Sequence, residues 1–408
     1  MTFSLSSIVV GTLLMLIQIL AALPWLAIVF LTPDERDALR KSWKTRALLP
    51  YLGGALVVSL VAGSGLLLLE RSVLELVGKV YAAALQLQLT IDFFIGFVAV
   101  MLQVWPKGGA VAQAAFRESV RQPMFWLLFA FAFVAMWISP YIPYFTFGED
   151  HIVVKELGYD TIMIVAAIFG TLAASIFVSE EIEGRTAVTL MSKPVSRRQF
   201  LLGKFVGIML AILLMFGLLG CSFEGVLLYK HWFDRLDPKP MPPWVMALLA
   251  KLAVPAGPAD FLRGVGIWAD HTFETMPGLI LSMWLVSVLV ALAVALATRV
   301  PMVVNLCVIL SVYFLANLSP VLVTIGQKAK DAKDAGAVAQ VLAFTSQLFD
   351  TLLPGLSYFR VGPAVVSDTP LPIGQFWAYV GAASVYGLMY TCILLLLGLI
   401  LFEDRDLA

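Results

Sequence analysis

The sequence predicts an all-α integral membrane protein, a polytopic helical bundle with about nine transmembrane helices. The first observation is composition, because 61% of the 408 residues are hydrophobic and only 13% are charged. Soluble domains are typically about half apolar and about one quarter charged, so a soluble fold is excluded. The second observation is a succession of apolar segments long enough to cross a hydrocarbon core of about 30 Å. The third is that basic residues gather in alternate loops.

The predicted spans follow one another along the whole chain. Their bounds are 8–31, 47–69, 80–105, 123–142, 161–178, 200–228, 278–297, 302–325 and 375–401. The first span is too long for a signal-peptide core, and no small-residue cleavage site follows it. We therefore interpret it as a retained anchor. The second span is rich in glycine and alanine, which favours close helix packing.

The basic residues orient these spans. The loop after the first span carries Arg36, Arg40, Lys41, Lys44 and Arg46. Such a cluster in a short loop predicts the cytoplasmic side of the membrane. The N-terminus is therefore expected outside and the C-terminus in the cytoplasm. The longer segments 229–277 and 326–374 are then external, and 244–252 predicts a short interfacial helix.

Two carboxylates lie within predicted spans. Asp92 is near the middle of span 80–105, which also carries Gln86 and Gln88. A charge within a span is costly and often functional. Asp92 therefore either makes a structural hydrogen bond or forms part of a transport path. Glu224 is near the outer end of its span and either lines an exit path or reaches the membrane interface. We prefer the second reading for Glu224.

The segment 106–122 predicts an amphipathic helix at the inner membrane surface. Within it Phe116 and Val120 share one helical face, whereas Arg117 and Arg121 share another. Proline at position 123 then leads into the next apolar span.

Catalytic, metal and nucleic-acid sites have no support in the sequence. The formal net charge is zero, which argues against a nucleic-acid partner. The three cysteines lie far apart in apolar runs, and His231 and His271 have no second ligand at metal spacing, so both are interpreted as surface histidines. No GxxxxGK(S/T), HExxH or GxSxG motif occurs. We expect no catalytic residue, no metal and no cofactor bound by this chain.

The most polar stretch of the chain is SEEIEGRTAVTLMSKPVSRRQFLLGK, residues 179–204. Ser179 is predicted to be the N-cap of a short helix that Pro194 stops. The carboxylates of its first turn, where the helix dipole favours negative charge, are Glu180, Glu181 and Glu183. Ser196 and Gln199 have the spacing of a capping box, which predicts a new helix from Arg197.

This stretch resembles the cytoplasmic loop of ABC-2 type transporter permeases, with acidic residues followed by GRTAVTLMSKPVSRRQFLLGK. In that family the loop after the second core helix forms a coupling helix that docks on a separate ATPase. The segment AFRESVRQPMFWLL is similar to the family's elbow helix. The resemblance implies an elbow at 106–122 and a six-helix core at 123–408. The resemblance covers the core only and does not include the three-helix extension at 1–105.

The resemblance implies a permease subunit of an exporter in a bacterial inner membrane, forming a homodimer or a heterodimer with a second permease. ATP and magnesium would be bound by the partner ATPase. The implied ATPase-coupling residues are Glu180, Glu181, Glu183, Gly184, Arg185, Thr186, Lys193 and Pro194. The residues expected to anchor the chain at the lipid headgroups are Arg197, Arg198, Lys204, Arg117 and Arg121.

Two other functions stay open. An ABC-2-like membrane module could drive assembly or motility machinery instead of transport. A secondary transporter could use Asp92 and Glu224 to couple an ion gradient to substrate movement. The sequence does not indicate the substrate.

Overall fold

The computed structural model describes residues 5–32, 34–35, 49–66, 69–144, 150–181, 196–233, 241–251, 254, 256–330, 337–360 and 373–403. These residues form helices joined by turns and contain no strand. The prediction of an all-α fold is therefore confirmed.

The α-helices are numbered here in chain order. They are α1 Leu5–Phe30, α2 Leu49–Leu66, α3 Arg71–Val104, α4 Pro106–Arg121, α5 Pro123–Ile138, α6 Asp150–Ala174, α7 Arg197–Phe233, α8 Pro243–Lys251, α9 Ala256–Ala297, α10 Met302–Lys330, α11 Ala337–Leu352 and α12 Ile373–Glu403. Helix α6 continues into a π-helical turn, Ser175–Glu180. Short 3₁₀ turns lie at Ser139–Tyr141 and Leu356–Phe359.

Eight helices in the described part of the chain are long and apolar enough to cross a membrane. They are α1, α3, α5, α6, α7, α9, α10 and α12, and each overlaps one of the predicted spans. The remaining predicted span, 47–69, corresponds to α2, in which the apolar segment Gly53–Gly65 is shorter. The chain is therefore a polytopic membrane protein.

Several helices extend beyond the apolar segments that the sequence indicated. Helix α9 begins at Ala256 and continues through Pro277, although the prediction placed the start of this span at 278. Its 42 residues are twice the number, about 20, that a helix needs to cross a hydrocarbon core. Polar residues end a hydrophobic run without ending a helix, so hydropathy alone underestimated its length. The helix predicted at 244–252 is α8.

Contacts divide the chain into two compact units. The first combines Met1–Val100 with Leu227–Thr275, and the second combines Met101–Val226 with Met276–Ala408. The first unit thus includes the segment 227–275, which the sequence placed outside the N-terminal extension.

Close approaches at glycine hold the first unit together. Helices α1 and α2 meet at Gly11 and Gly63, where a Cβ on Gly63 would lie 2.6 Å from the carbonyl carbon of Gly11. A Cβ on Gly78 of α3 would collide with the Phe261 carbonyl oxygen of α9. Small residues permit such backbone contact between helices in a membrane, as the glycine content of 47–69 predicted.

The second unit is built around α6, the first part of α7 and the second part of α9. Large apolar side chains from all three are fully buried, including Phe169, Ile212 and Leu285. Asn305 of α10 joins this core because its Nδ2 donates to Ser175 Oγ and to the Ala293 carbonyl oxygen, both at 2.9 Å. The core of this unit is therefore mainly apolar, and these hydrogen bonds hold the buried Asn305 amide within it.

Helix α4 packs on the start of α7 through Gly203 and Gly207. A Cβ on Gly203 would lie 2.9 Å from the Gly108 carbonyl oxygen, and one on Gly207 would lie 2.6 Å from Ala115 Cβ. These two glycines are one helical turn apart, so together they form a flat surface for α4.

A larger side chain at this crossing is expected to destabilise the protein. Gly207→Ala should lower the free energy of unfolding by about 1–3 kcal/mol, because the added Cβ overlaps Ala115 and forces α4 away from α7. The matched control is Gly225→Ala on the same helix, where the nearest atom is Trp137 Cζ2 at 3.7 Å. Denaturant unfolding of both variants in detergent measures the effect. Equal stability of the two variants would contradict the packing argument.

Candidate functional site

The two ends of the polar loop form the candidate site. We call residues 179–181 and 196–204 the loop stem. Glu180 closes the π-helical turn after α6, and Glu181 follows it. The predicted coupling residues outside the described part of the chain are Glu183, Gly184, Arg185, Thr186, Lys193 and Pro194.

Ser179 fastens the first end of the stem to the end of α9. Its buried hydroxyl donates to the carbonyl oxygens of Ala297 and Val300, both at 3.1 Å. The prediction that Ser179 is an N-cap is wrong, because it lies within the π-helical turn that continues α6. Carbonyl groups at the end of a helix lack intrahelical partners, and Ser179 supplies one for α9.

Lys204 holds both ends of the stem together. Its Nζ lies 2.6 Å from Glu181 Oε1 and 3.4 Å from Glu118 Oε2. The ammonium group also lies 5.5 Å from the centre of the Phe177 ring and 6.0 Å from that of Phe200. Only 5% of Lys204 is exposed, so its charge depends on these partners. Through Lys204, the cluster joins α7 to Glu118 of α4 and to Glu181, which follows the π-helical turn.

The sequence assigned Lys204 to the lipid headgroups and Glu181 to the ATPase without indicating that they pair. The sequence does contain one indication that Lys204 has an acidic partner. Lys204 follows Phe200, Leu201, Leu202 and Gly203 in an apolar helix, and a cation in such a place requires a partner. Which acid it meets depends on how α4 and α6 pack, and the sequence does not give this.

The second end of the stem begins with the capping box that the sequence predicted. The Ser196 backbone N–H donates to Gln199 Oε1 at 3.1 Å, and the Gln199 backbone N–H donates to Ser196 Oγ at 3.2 Å. These reciprocal bonds satisfy free donors at the start of α7, which begins at Arg197. The capping-box prediction is confirmed.

Arg197 attaches this end to the C-terminus of α12. Its Nη1 donates to the carbonyl oxygens of Phe402 and Glu403, at 3.0 and 2.9 Å, and its guanidinium carbon lies 5.7 Å from the Phe402 ring centre. Arg198 lies 3.9 Å from the Glu403 carboxylate, but both side chains are largely exposed. Exposed pairs contribute little to stability, so Arg197 makes the stronger attachment.

Arg117 and Arg121 lie on one side of α4, as the helical spacing predicted. Together with Ala114, Glu118 and Gln122 they line an open pocket of about 490 Å³. The opposite side of α4, including Ala112 and Ala115, is buried. Glu118 therefore lies at the edge of this pocket and also contacts Lys204.

The two carboxylates within spans have different surroundings. Glu224 is 1% exposed within the second unit, so it is buried rather than directed at the membrane interface. Asp92 is partly buried in the first unit. Its Oδ1 is buried and has no hydrogen-bond partner among the described residues.

The two histidines are close in space. The ring centres of His231 and His271 lie 5.6 Å apart, and His271 is only 2% exposed. The prediction of a surface position is therefore wrong for His271, because α9 extends through it and buries it. Among the described residues no group of three or more histidine, cysteine, aspartate or glutamate side chains could hold a metal ion.

A comparison with family models identifies the chain. Residues 109–407 match the family model described as ABC-2 family transporter protein, and this match covers well over half of the chain. No curated protein matches the sequence. The matched region includes the loop stem, α4 from residue 109 onwards and the C-terminus of α12, which Arg197 holds. The chain therefore belongs to the ABC-2 family of transporter proteins.

Proposed function

We propose that this permease is the membrane subunit of an ABC exporter and that a separate ATPase drives it through residues 182–195. The observation that supports this proposal most strongly is the attachment of both ends of the loop to helices of the same unit. A loop that receives force must transmit it, and a loosely tethered loop would dissipate the movement.

The contacts of the stem define the route of the force. Ser179 connects it to the end of α9, Lys204 connects it to α4, and Arg197 connects it to the end of α12. Helices α6 and α7 continue directly from the stem. A displacement of the loop would therefore move several helices of the second unit together, as a change between inward-facing and outward-facing states requires.

The loop would present acidic and basic side chains to the ATPase. Glu183 and Arg185 supply opposite charges two positions apart, and Gly184 between them permits a close approach. We infer that the loop and the C-terminus lie in the cytoplasm of a bacterium and that the N-terminus lies outside the inner membrane. The reason is that loops rich in lysine and arginine are typically cytoplasmic, and this loop is one of them. ATP and magnesium belong to the ATPase, and two permease chains would form the pathway.

The proposal is tested by isolating the tagged full-length chain from its native membranes in mild detergent. Mass spectrometry should recover a P-loop ATPase in stoichiometric amount, and the double variant Glu183→Lys/Arg185→Glu should lose it. The matched control is Glu156→Lys, which changes an exposed glutamate on α6 and should retain the ATPase. Recovery of the chain alone, together with transport that follows an ion gradient, would overturn the proposal in favour of a secondary transporter.

A further inference from the structure

A row of polar side chains on α3 faces α1 inside the first unit. Tyr81 donates its hydroxyl to the Leu14 carbonyl oxygen at 2.6 Å. Gln18 Nε2 donates to Gln88 Oε1 at 2.8 Å. Tyr81 and Gln88 are seven positions apart and thus lie two turns apart on one face of α3. Both contacts lie within helices apolar enough to span a membrane.

Asp92 continues this row, because it lies one helical turn after Gln88 on the same face. Its Oδ1 and the Oε1 of Gln18 are both buried, and neither has a hydrogen-bond partner among the described residues. Both atoms are acceptors, so each would be satisfied by a proton or by another cation.

The helices around Asp92 provide no described ion pair for it. Helix α1 contains no charged residue. On α3, Lys79 is paired with Glu75 at 2.9 Å and lies about 20 Å before Asp92 along the axis, with Arg71 further away.

Further charged groups that the structure describes in this unit lie on α8 and α9, at the end of α7, and at positions 34, 35 and 70. Arg263 pairs with Asp260 at 2.7 Å, Asp270 accepts from Trp244, and His271 lies against His231. Glu274 of α9 and Lys230 of α7 also belong to this set.

We propose that Asp92, Gln18 and Gln88 form a binding site for a monovalent cation, either a proton or a sodium ion. A carboxylate that is ionised and unpartnered within a span is costly, and a bound cation removes that cost. A proton would form an O–H bond on the Asp92 carboxylate, and this group could then donate to a glutamine oxygen. Sodium would take oxygen ligands from Asp92 and Gln18 and complete its shell with water. The site is separate from the loop stem and does not depend on the proposed ATPase.

The test uses dicyclohexylcarbodiimide, which forms a stable adduct with a protonated carboxyl group in an apolar environment. The full-length protein is labelled in phospholipid vesicles over a range of about pH 5 to 9, in choline chloride or sodium chloride of equal ionic strength. Mass spectrometry then measures the adduct on the peptide that contains Asp92.

Labelling of Asp92 is expected at low pH, with a fall of about tenfold per pH unit above the midpoint. The double variant Gln18→Leu/Gln88→Leu should shift this midpoint, and Asp92→Asn should abolish the label. Glu224→Gln is the matched control, which removes another buried carboxyl group and should leave Asp92 labelling unchanged.

The two cations are distinguished by the salt. Labelling that is equal in sodium and choline identifies a proton site, whereas labelling that sodium lowers at least about tenfold identifies a sodium site. Asp92 that is not labelled at any pH, or labelling that is independent of both pH and salt, would overturn the proposal.

Discussion

Replacing Lys204 with methionine is expected to destabilise the second unit and to weaken the connection between the polar loop and α4. Methionine has a similar length but no charge, so Glu181 would lose the ammonium group that lies 2.6 Å from its Oε1. Removing one member of a buried ion pair typically costs about 3–5 kcal/mol. Since 23% of the Glu181 side chain is exposed, we expect the lower end of that range, about 3 kcal/mol. Denaturant unfolding in detergent measures this loss.

A second change should restore most of the lost stability. In the double variant Glu181→Gln/Lys204→Met the only charge of the cluster that loses Lys204 is Glu118, which is about half exposed and can be solvated by water. The free energy of unfolding should therefore recover. The matched control is Arg198→Gln, since Arg198 lies 3.9 Å from Glu403 and both side chains are largely exposed. That variant should change stability by less than about 0.5 kcal/mol. If Lys204→Met is as stable as Arg198→Gln, the buried cluster does not hold the stem together.

Reversing the charges of Glu183 and Arg185 is expected to reduce stimulation of the partner ATPase by more than about tenfold. Charged groups placed opposite like charges at an interface cost several kcal/mol, and about 1.4 kcal/mol already corresponds to a tenfold change. The variant keeps Ser179, Lys204 and Arg197 in place, so the stem and the stability of the chain should be preserved. ATP hydrolysis by the reconstituted complex, with and without the permease, provides the measurement.

Comparing the charge-reversed variant with Lys204→Met distinguishes binding of the ATPase to the loop from transmission of the loop's movement through the stem. Charge reversal at Glu183 and Arg185 should abolish binding of the ATPase at unchanged stability. Lys204→Met should retain binding but lower both stability and stimulation. The control Glu156→Lys should affect neither quantity, because Glu156 lies on α6 away from the loop. Normal stimulation in the charge-reversed variant would refute the assignment of this loop to ATPase coupling.

Local patterns predicted many of the helices and one feature of the site. The capping box at Ser196 and Gln199 and the helix from Arg197 depend on residues that are neighbours in the sequence, so spacing was sufficient to find them. The amphipathic helix at 106–122 has the same local origin and corresponds to α4. Ser179 shows the limit of local reasoning. Its environment is set by α9, which is more than one hundred residues away in the chain.

A helical membrane protein with a polar loop between two spans follows from the amino-acid sequence alone, because apolar length and charge are properties of single segments. The packing of the helices, in contrast, is what pairs Lys204 with Glu181 and Glu118, brings Arg197 to the end of α12, and buries His271. The reason is physical. A buried polar group must find its partner wherever the helices pack, and helix packing is set by side-chain shape and small residues such as Gly207 rather than by hydropathy.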